Sequence, residues 1–190
     1  MTSVTLKTNR RPPGKRAKRI SNTRDSYSVT IRPATKSDLK TINDIYNHYV
    51  LQSTCTYQEK PEPLKNRHNW FAHHGPKHPI TVAVENKKVV GWGSLSAYHA
   101  RSAYRRTVEN SVYLHHDRHG RGIGSLLLED LIVRARRAGH RVIIAAIDAD
   151  QPASIALHSK FNFKKVGHFK QVGFKFGRWL DVVYMELLLT

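Results

Sequence analysis

A mixed α/β fold, with a central twisted sheet flanked by helices on both sides, is the architecture this chain predicts. Three observations carry it. The strand-like run Thr107–Leu114 alternates in polarity and leads through a glycine-spaced turn into a leucine-rich amphipathic helix. After that helix, Arg141–Asp148 is continuously apolar, as a strand covered on both faces must be. Asn86-Lys87 joins two further strand-like runs in a tight hairpin. Strand, crossover helix and strand then make a parallel pair, and the hairpin adds antiparallel neighbours.

Taken in order, Val29-Thr-Ile-Arg32 alternates as a short first strand that Pro33 closes. Ser37 is placed as the N-cap of the first helix with Asp38 in its first turn, because Leu39, Ile42, Ile45, Tyr46 and Tyr49 recur at helical spacing. Beyond the prolines near Lys60–Pro63, Leu64–His74 reads as a shorter helix carrying Trp70 and Phe71. Ile80–Glu85 and Lys88–Tyr98 are the hairpin strands. From Gly122 the main helix keeps Ile123, Leu127, Leu128, Leu131, Ile132 and Ala135 on one side. Arg134, Arg136 and Arg137 crowd its last turn, where cations suit the dipole, and Gly139 caps it. A short helix from Pro152 to Phe161 and strands near Phe163–Phe169 and Trp179–Leu189 complete the chain.

At 190 residues and 39% hydrophobic content the chain holds enough apolar surface for one domain with a real core. Its net charge of +18 is uneven: residues 1–28 hold eight Lys or Arg and one acid, including the run Arg10–Arg19, without sustained apolar periodicity. Residues 1–28 are therefore expected to be a disordered basic extension, and residues 29–190 the folded domain. Nucleic-acid contact, targeting and simple solubility are all open uses for such a tail. The apolar runs are too short to span a membrane, no secretory pattern follows Met1, and the single Cys55 leaves no intramolecular disulfide. A cytoplasmic location without a membrane partner is the default expectation.

The turn His119-Gly-Arg-Gly-Ile-Gly124 can aim main-chain N–H groups at an anion, with the positive end of the following helix behind it. A dinucleotide fingerprint needs a third glycine three positions past Gly-x-Gly and an acid roughly 20 positions on. Leu127 occupies that glycine position, and too little chain follows for a second mononucleotide half. Alternation puts Glu109, Ser111 and Tyr113 on one face of their strand and Asn110, Val112 and Leu114 on the other. Glu109 in mid-strand has two readings: a solvated carboxylate paired with Arg105 or Arg106, or a general base just upstream of the turn.

The turn resembles the acetyl-CoA loop of the GNAT N-acetyltransferase superfamily, with His119 where Gln or Arg is usual. The segments Asn47-His-Tyr-Val50, Ser53-Thr-Cys-Thr-Tyr57, Arg101-Ser-Ala-Tyr104, Thr107-Val-Glu-Asn-Ser-Val-Tyr113 and Gly173-Phe-Lys-Phe-Gly-Arg-Trp-Leu-Asp181 are similar, in order and spacing, to the phosphinothricin and methionine-sulfoximine N-acetyltransferase branch. This resemblance implies the GNAT acyl-CoA N-acyltransferase fold, acetyl-CoA as co-substrate, no metal, a homodimer, and acetylation of the α-amino group of a small amino acid. It implies Glu109 as the catalytic base. It implies cofactor contacts from Val112, Tyr113, Leu114, His119, Gly120, Arg121, Gly122, Ile123, Gly124 and Ser125, joined by Gln151 and Ser154. Gln151 stands where an asparagine is common, and Ser154 reads equally as a helix-start residue.

An α-amino group with a pKa of roughly 8 must lose a proton before it can attack a thioester, and Glu109 is placed to take it. A bulge near Val112–Leu114 would free an N–H for the developing oxyanion. His158, in Leu157-His-Ser-Lys-Phe-Asn-Phe163, occupies the position where many relatives carry an acidic tyrosine; it reads as an acid toward the departing thiolate or as a packed structural residue. Arg101 is the expected partner of an acceptor carboxylate, with Tyr57, Tyr104 and Thr107 shaping the acceptor pocket. Asn162 replaces a glycine and is expected to take the left-handed conformation.

Other constellations carry less. His115, His116 and His119 beside Asp117 lie around a turn with no fixed ligand periodicity, so no metal site is expected. Cys55 lacks a recognisable paired base, and Trp92 and Trp179 read as packing residues. A protein N-terminus or a polyamine is the alternative acceptor, and a nucleic-acid-binding module using the basic tail is the alternative outside enzymology.

Overall fold

The computed structural model describes residues 28–189; the basic extension expected over 1–28 lies, except for Ser28, outside them. In chain order the elements are β1 (Thr30–Pro33), α1 (Leu39–Gln52), α2 (Leu64–Ala72), β2 (Ile80–Glu85), β3 (Lys88–Ala97), β4 (Thr107–Leu114), α3 (Ile123–Arg137), β5 (Val142–Asp148), α4 (Pro152–Lys160), β6 (Lys164–Lys175) and β7 (Arg178–Leu188). The strands form one sheet in the order β1-β2-β3-β4-β5-β7-β6. Only β4 and β5 run parallel; the other neighbours are antiparallel. This is the mixed sheet that the crossover helix and hairpin require.

The two sheet faces are buried differently. Against one, the apolar side of α3 sets Leu128, Leu131, Ile132 and Ala135 on Val108, Ile143, Ala145 and Met185, with Ile155 and Leu157 of α4 beside them. Against the other, Leu39, Ile42 and Ile45 of α1 meet Ile80, Val82 and Trp92, and Trp70 and Phe71 of α2 close over them. Side chains of β4 alternate accordingly. Val108 joins the α3 core and Tyr113 the α1 core.

Local chemistry sets the ends. Asn86 and Lys87 both have positive φ (50° and 63°), as the two central residues of a type I′ hairpin turn do. Asn162 takes the left-handed conformation with φ 66°, ending α4 as expected of asparagine there. Several ends shift by one or two residues, such as α2 stopping at Ala72 instead of His74, and two boundaries differ for a physical reason. Helix α1 is entered through a 3-10 turn over Lys36–Asp38, and the Thr35 main-chain N–H and hydroxyl donate to the Asp38 carboxylate at 2.7 and 2.9 Å, so Ser37 is not the cap. Strand β6 continues past Phe169 to Lys175, and Phe176 and Gly177, both with positive φ, turn it into β7. The alternation is blurred because β6 is the sheet edge, mostly exposed on both faces and irregular in register between Phe169 and Gly173.

Asp38 also takes a forked pair of hydrogen bonds from Arg32 at 2.7 and 2.8 Å, tying β1 to the start of α1. The Arg32 bonds hold the buried Asp38 carboxyl down at about 2, against an ordinary 3.8. A depressed acid stabilises the fold above its unfolded value and loses that contribution as pH falls through its folded one. Asp38→Asn is therefore expected to lower the unfolding free energy in urea near neutral pH by about 1–3 kcal/mol. The gap to wild type should close as the pH is taken from about 4 toward 2; a gap independent of pH would exclude this ionic role.

Candidate active site

The sheet parts between β4 and β5. Thr107, Val108 and Glu109 pair with Val142, Ile143 and Ile144, and the pairing stops there. The direction of the main chain beyond that point follows from its neighbours. The Arg106 carbonyl accepts from Arg141 N–H on the β5 side, whereas His115 N–H donates to the Val90 carbonyl on the β3 side, at 2.8 Å in both cases. By alternation, Asn110, Val112 and Leu114 turn their main-chain groups toward β5, where no strand now meets them. The β3–β4 register is continuous from Gly91–Leu114 to Ala97–Val108, so the free donors arise from strand divergence and not from the expected bulge.

A cleft of about 690 Å³ fills this gap and reaches the glycine turn. Gly120 and Gly122 have φ of 73° and 79°, a conformation that side chains resist, and Gly122 caps α3 by accepting from the N–H groups of Ser125 and Leu126. Among the described residues the N–H groups of His119 through Gly124 meet no acceptor. The turn is pinned from two directions. Glu85, buried at the end of β2, accepts from Arg118 Nε at 3.0 Å and Arg121 Nη2 at 2.7 Å. Tyr49 Oη donates to the Leu114 carbonyl at 2.6 Å and meets His119 Nε2 at 2.7 Å.

Most residues singled out from the sequence line this cleft: Tyr57, Glu109, Val112, Tyr113, Leu114, His119, Gly120, Gly122, Gly124, Ser125, Gln151, Ser154 and His158. Ile123 is instead buried in the core beneath α3, and the Arg121 guanidinium is held by Glu85, so both face the cleft at most through their main chain. Arg101 and Tyr104 stand exposed on the turn before β4 and line neither this cleft nor its neighbour; Thr107, at the first residue of β4, is also outside both. The Tyr57 hydroxyl donates toward Asp148 and the Asp181 carbonyl, and its ring lies so close to Gly173 that a Cβ there would sit 2.4 Å from it.

Glu109 is half-buried and bonds neither Arg105 nor Arg106 nor any other base among the described residues; burial alone pushes its carboxyl above the ordinary value. Ser96 is its partner across the β3–β4 ladder. On the opposite face, His158 is buried with both ring nitrogens engaged. Nδ1 meets the Ser154 carbonyl at 2.8 Å and Nε2 meets Asn110 Nδ2 at 2.9 Å. A carbonyl can only accept, so Nδ1 carries the proton and the bare Nε2 accepts from the amide. Burial lowers the imidazole's affinity for a second proton.

A half-open strand pair with a half-buried, unbonded carboxylate at its fork, and free N–H groups at a glycine turn in the same cleft, make an arrangement able to hold an anion and accept a proton. The family model described as "Acetyltransferase (GNAT) family" matches residues 42–163. The chain belongs to the GNAT family.

Among the relatives of this GNAT chain is an L-methionine sulfoximine/L-methionine sulfone acetyltransferase of Salmonella typhimurium, 40% identical over 162 residues that cover 85% of this chain and 95% of that one. A phosphinothricin N-acetyltransferase of Streptomyces coelicolor is 37% identical over 163 residues, 83% and 95% of the two chains. Two similar solved structures contain acetyl-CoA: the acetyltransferase yncA of Salmonella typhimurium, with TM-score 0.82, 40% identity and coverage of 85% and 94%, and a phosphinothricin acetyltransferase of Sinorhizobium meliloti, with TM-score 0.82, 39% identity and coverage of 85% and 88%.

Three residues of the GNAT site were not assigned from sequence. Asn110 donates to His158, Tyr49 ties helix α1 to the end of β4, and Glu85 anchors the turn. Glu85 carried a faint signal, an acid closing a strand in a very basic chain. Replacing it by Gln removes the charge from the bonds to Arg118 and Arg121, interactions worth about 1.5–3 kcal/mol when charge-assisted. Acetyl-CoA affinity, measured by calorimetry, should then fall about tenfold or more while the far-UV circular dichroism of the fold is kept; an unaltered affinity would remove Glu85 as the anchor of the turn.

Proposed function

We propose that this GNAT enzyme moves the acetyl group of acetyl-CoA to the α-amino group of a small amino acid of the phosphinothricin, methionine sulfoximine or methionine sulfone kind. The observation that carries the reading is Glu109: a carboxylate raised by burial, unpaired, and one residue from the main chain that loses its partner strand. The relatives named for these acceptors, similar over most of both chains, support the choice of substrate.

The residues present fit the co-substrate. The N–H groups of His119 through Gly124 would hold its diphosphate, the N–H groups of Val112 and Leu114 would meet amide oxygens along its arm, and Asn110 Oδ1, buried without a partner, offers an acceptor beside them. Gln151 and Ser154 at the start of α4 form the facing wall. When bound, acetyl-CoA supplies the thioester that is the acyl donor. Glu109 removes a proton from the acceptor ammonium, directly or through one water, leaving the nitrogen lone pair free for the thioester carbonyl. The free main-chain N–H groups of β4 would face the thioester oxygen, on which negative charge collects as the C–N bond forms and from which the electron pair returns as the C–S bond breaks and the charge passes to sulfur. The nitrogen's remaining excess proton leaves with the thiolate. His158 has no proton on its cleft-side nitrogen, so we assign it to positioning Asn110 instead of acid catalysis.

We also infer a dimer. Phe169, Val172, Phe174, Phe176 and Trp179 are each more than half exposed on the β6–β7 hairpin, an apolar surface that a second copy of the chain would cover. The lone Cys55 suits the reducing cytoplasm in which we place the enzyme.

Glu109→Gln should lower kcat by about 10²- to 10⁴-fold in a thiol-release assay while acetyl-CoA binding by calorimetry is retained. In wild type the acid limb of kcat should lie above 4.5, because burial has raised the group that must be ionised. Wild-type turnover in the Gln variant would refute the base. For assembly, light scattering should show wild type at twice the chain mass and Trp179→Asp shifted toward the single chain; a monomeric wild type would end the dimer reading.

A further inference from the structure

On the α1/α2 face of β4 lies a second, smaller cavity of about 310 Å³ that shares Ser111 and Tyr113 with the main cleft. Arg67 of α2 forms part of its wall and is only 5% exposed. Its Nε donates to Asn43 Oδ1 at 3.1 Å, and its guanidinium carbon sits 4.7 Å from the ring centres of both Tyr46 and Trp70 and 5.7 Å from that of Trp92. Its two terminal nitrogens form no hydrogen bond or ion pair among the described residues. Glu62, also on the cavity wall, bonds Gln58 Nε2 and lies beyond ion-pair distance of Arg67. A buried guanidinium left with idle donors is costly unless something fills them. Among the described residues the neighbouring hydroxyls of Ser94 and Ser111 are likewise without partners, and Trp92 Nε1 is buried and unsatisfied. The cavity thus offers hydrogen-bond donors inside an aromatic box.

Position relates this cavity to the base. Ser96 and Glu109 form one cross-strand pair, and Ser94 and Ser111 form the pair two residues along. That step is about 6–7 Å. In methionine sulfone, methionine sulfoximine and phosphinothricin alike, four bonds separate the α-nitrogen from a tetrahedral sulfur or phosphorus that carries oxygen and a methyl group. Four bonds span roughly 5 Å at standard lengths. With its nitrogen at Glu109, such an acceptor brings its oxygen-bearing centre to Ser94, Ser111 and the idle end of Arg67, and its methyl group to the aromatic rings.

We propose that Arg67 is the specificity determinant of the acceptor site, donating to the oxygens of a tetrahedral sulfonyl, sulfoximine or phosphinate group at the end of the acceptor side chain. This rests on the amino-acid acceptor proposed above. The role is distinct from the carboxylate recognition that the sequence suggested for Arg101, which stands exposed outside both cavities.

The test compares methionine sulfone with methionine, which has the same chain length and no side-chain oxygen. Wild type should prefer the sulfone in kcat/KM, and Arg67→Met should cut that preference by about tenfold or more, the loss expected for a charge-assisted hydrogen bond. An equal loss on both acceptors would mean that Arg67 holds the shared α-carboxylate or only the fold, and would overturn the proposal, as would an unaltered ratio. If Arg67→Met does not fold, Ser94→Ala decides by the same ratio, expected to fall in the same direction. Acceptor binding is followed separately, without acetyl-CoA, through the fluorescence of Trp70 and Trp92. Binding that favours the sulfone and depends on Arg67, with no acetyl transfer to any amino acid, would sink the proposed reaction yet sustain the pocket. Failure of wild type to bind either acceptor would overturn the pocket itself.

Discussion

The parting of β4 from β5 is the constraint on which the rest of the molecule depends. Both strands remain secured on their outer edges, β4 to β3 along its whole length and β5 to β7 from Val142–Leu188 to Asp148–Val182. Their inner edges can therefore separate after Glu109 without unravelling the sheet. Separation leaves main-chain donors and acceptors without partners, which a folded protein tolerates only where another group meets them. Tyr49 satisfies the Leu114 carbonyl, and the remaining groups face a cleft wide enough for a ligand. What would be a defect in an ordinary sheet is here the wall of a cleft.

The glycine turn works only because it is held against that gap. Gly120 and Gly122 supply the backbone conformation, but conformational freedom alone would leave the loop mobile. Glu85 pulls Arg118 and Arg121 toward β2, and the Tyr49–His119 contact fastens the other side of the turn to α1. A single buried acid is thus set against two arginines in a chain of net charge +18, which leaves the cleft's own N–H groups free of competing carboxylates. Preorganised donors of this kind need little rearrangement when charge arrives.

What could be read from the sequence was whatever repeats or is locally forced. Helix α3, the buried run of β5, the hairpin at Asn86-Lys87 and the left-handed Asn162 all follow from periodicity or from the conformational preference of one or two residues. The long β6 was cut short because an edge strand exposed on both faces loses its alternation. Glu109, His158 and the glycine turn were legible, since strand alternation and spacing place them; the resemblance added roles. Partners distant in sequence were not. Nothing near Arg67 announces that Asn43, Tyr46, Trp70 and Trp92 will surround it, and nothing near Arg101 shows that its turn will remain in solvent. Residue type predicts the chemistry a side chain can do, while burial and company decide whether it does it.

One strand then divides the labour of the whole site. Because side chains alternate, Asn110 reaches the α4 side and bonds His158, whereas Glu109, Ser111 and Tyr113 reach the α1/α2 side. The main chain alternates in the perpendicular direction, so Val112 and Leu114 offer N–H groups into the gap between the two. The proposed base, oxyanion donors and acceptor wall are consequently set at neighbouring positions of a single rigid element, with no loop needed to bring them together. The same economy makes the register unforgiving: slipping β4 by one residue would send Glu109 to the α4 side and Asn110 to the α1/α2 side, exchanging carboxylate and buried amide. Pairs such as Trp92–Tyr113, stacked at 4.9 Å between ring centres, fix that register from the α1 side, as Val108 does from the α3 core. Packing on the two faces of the sheet therefore determines which of two adjacent residues, Glu109 or Asn110, is presented on the α1/α2 side.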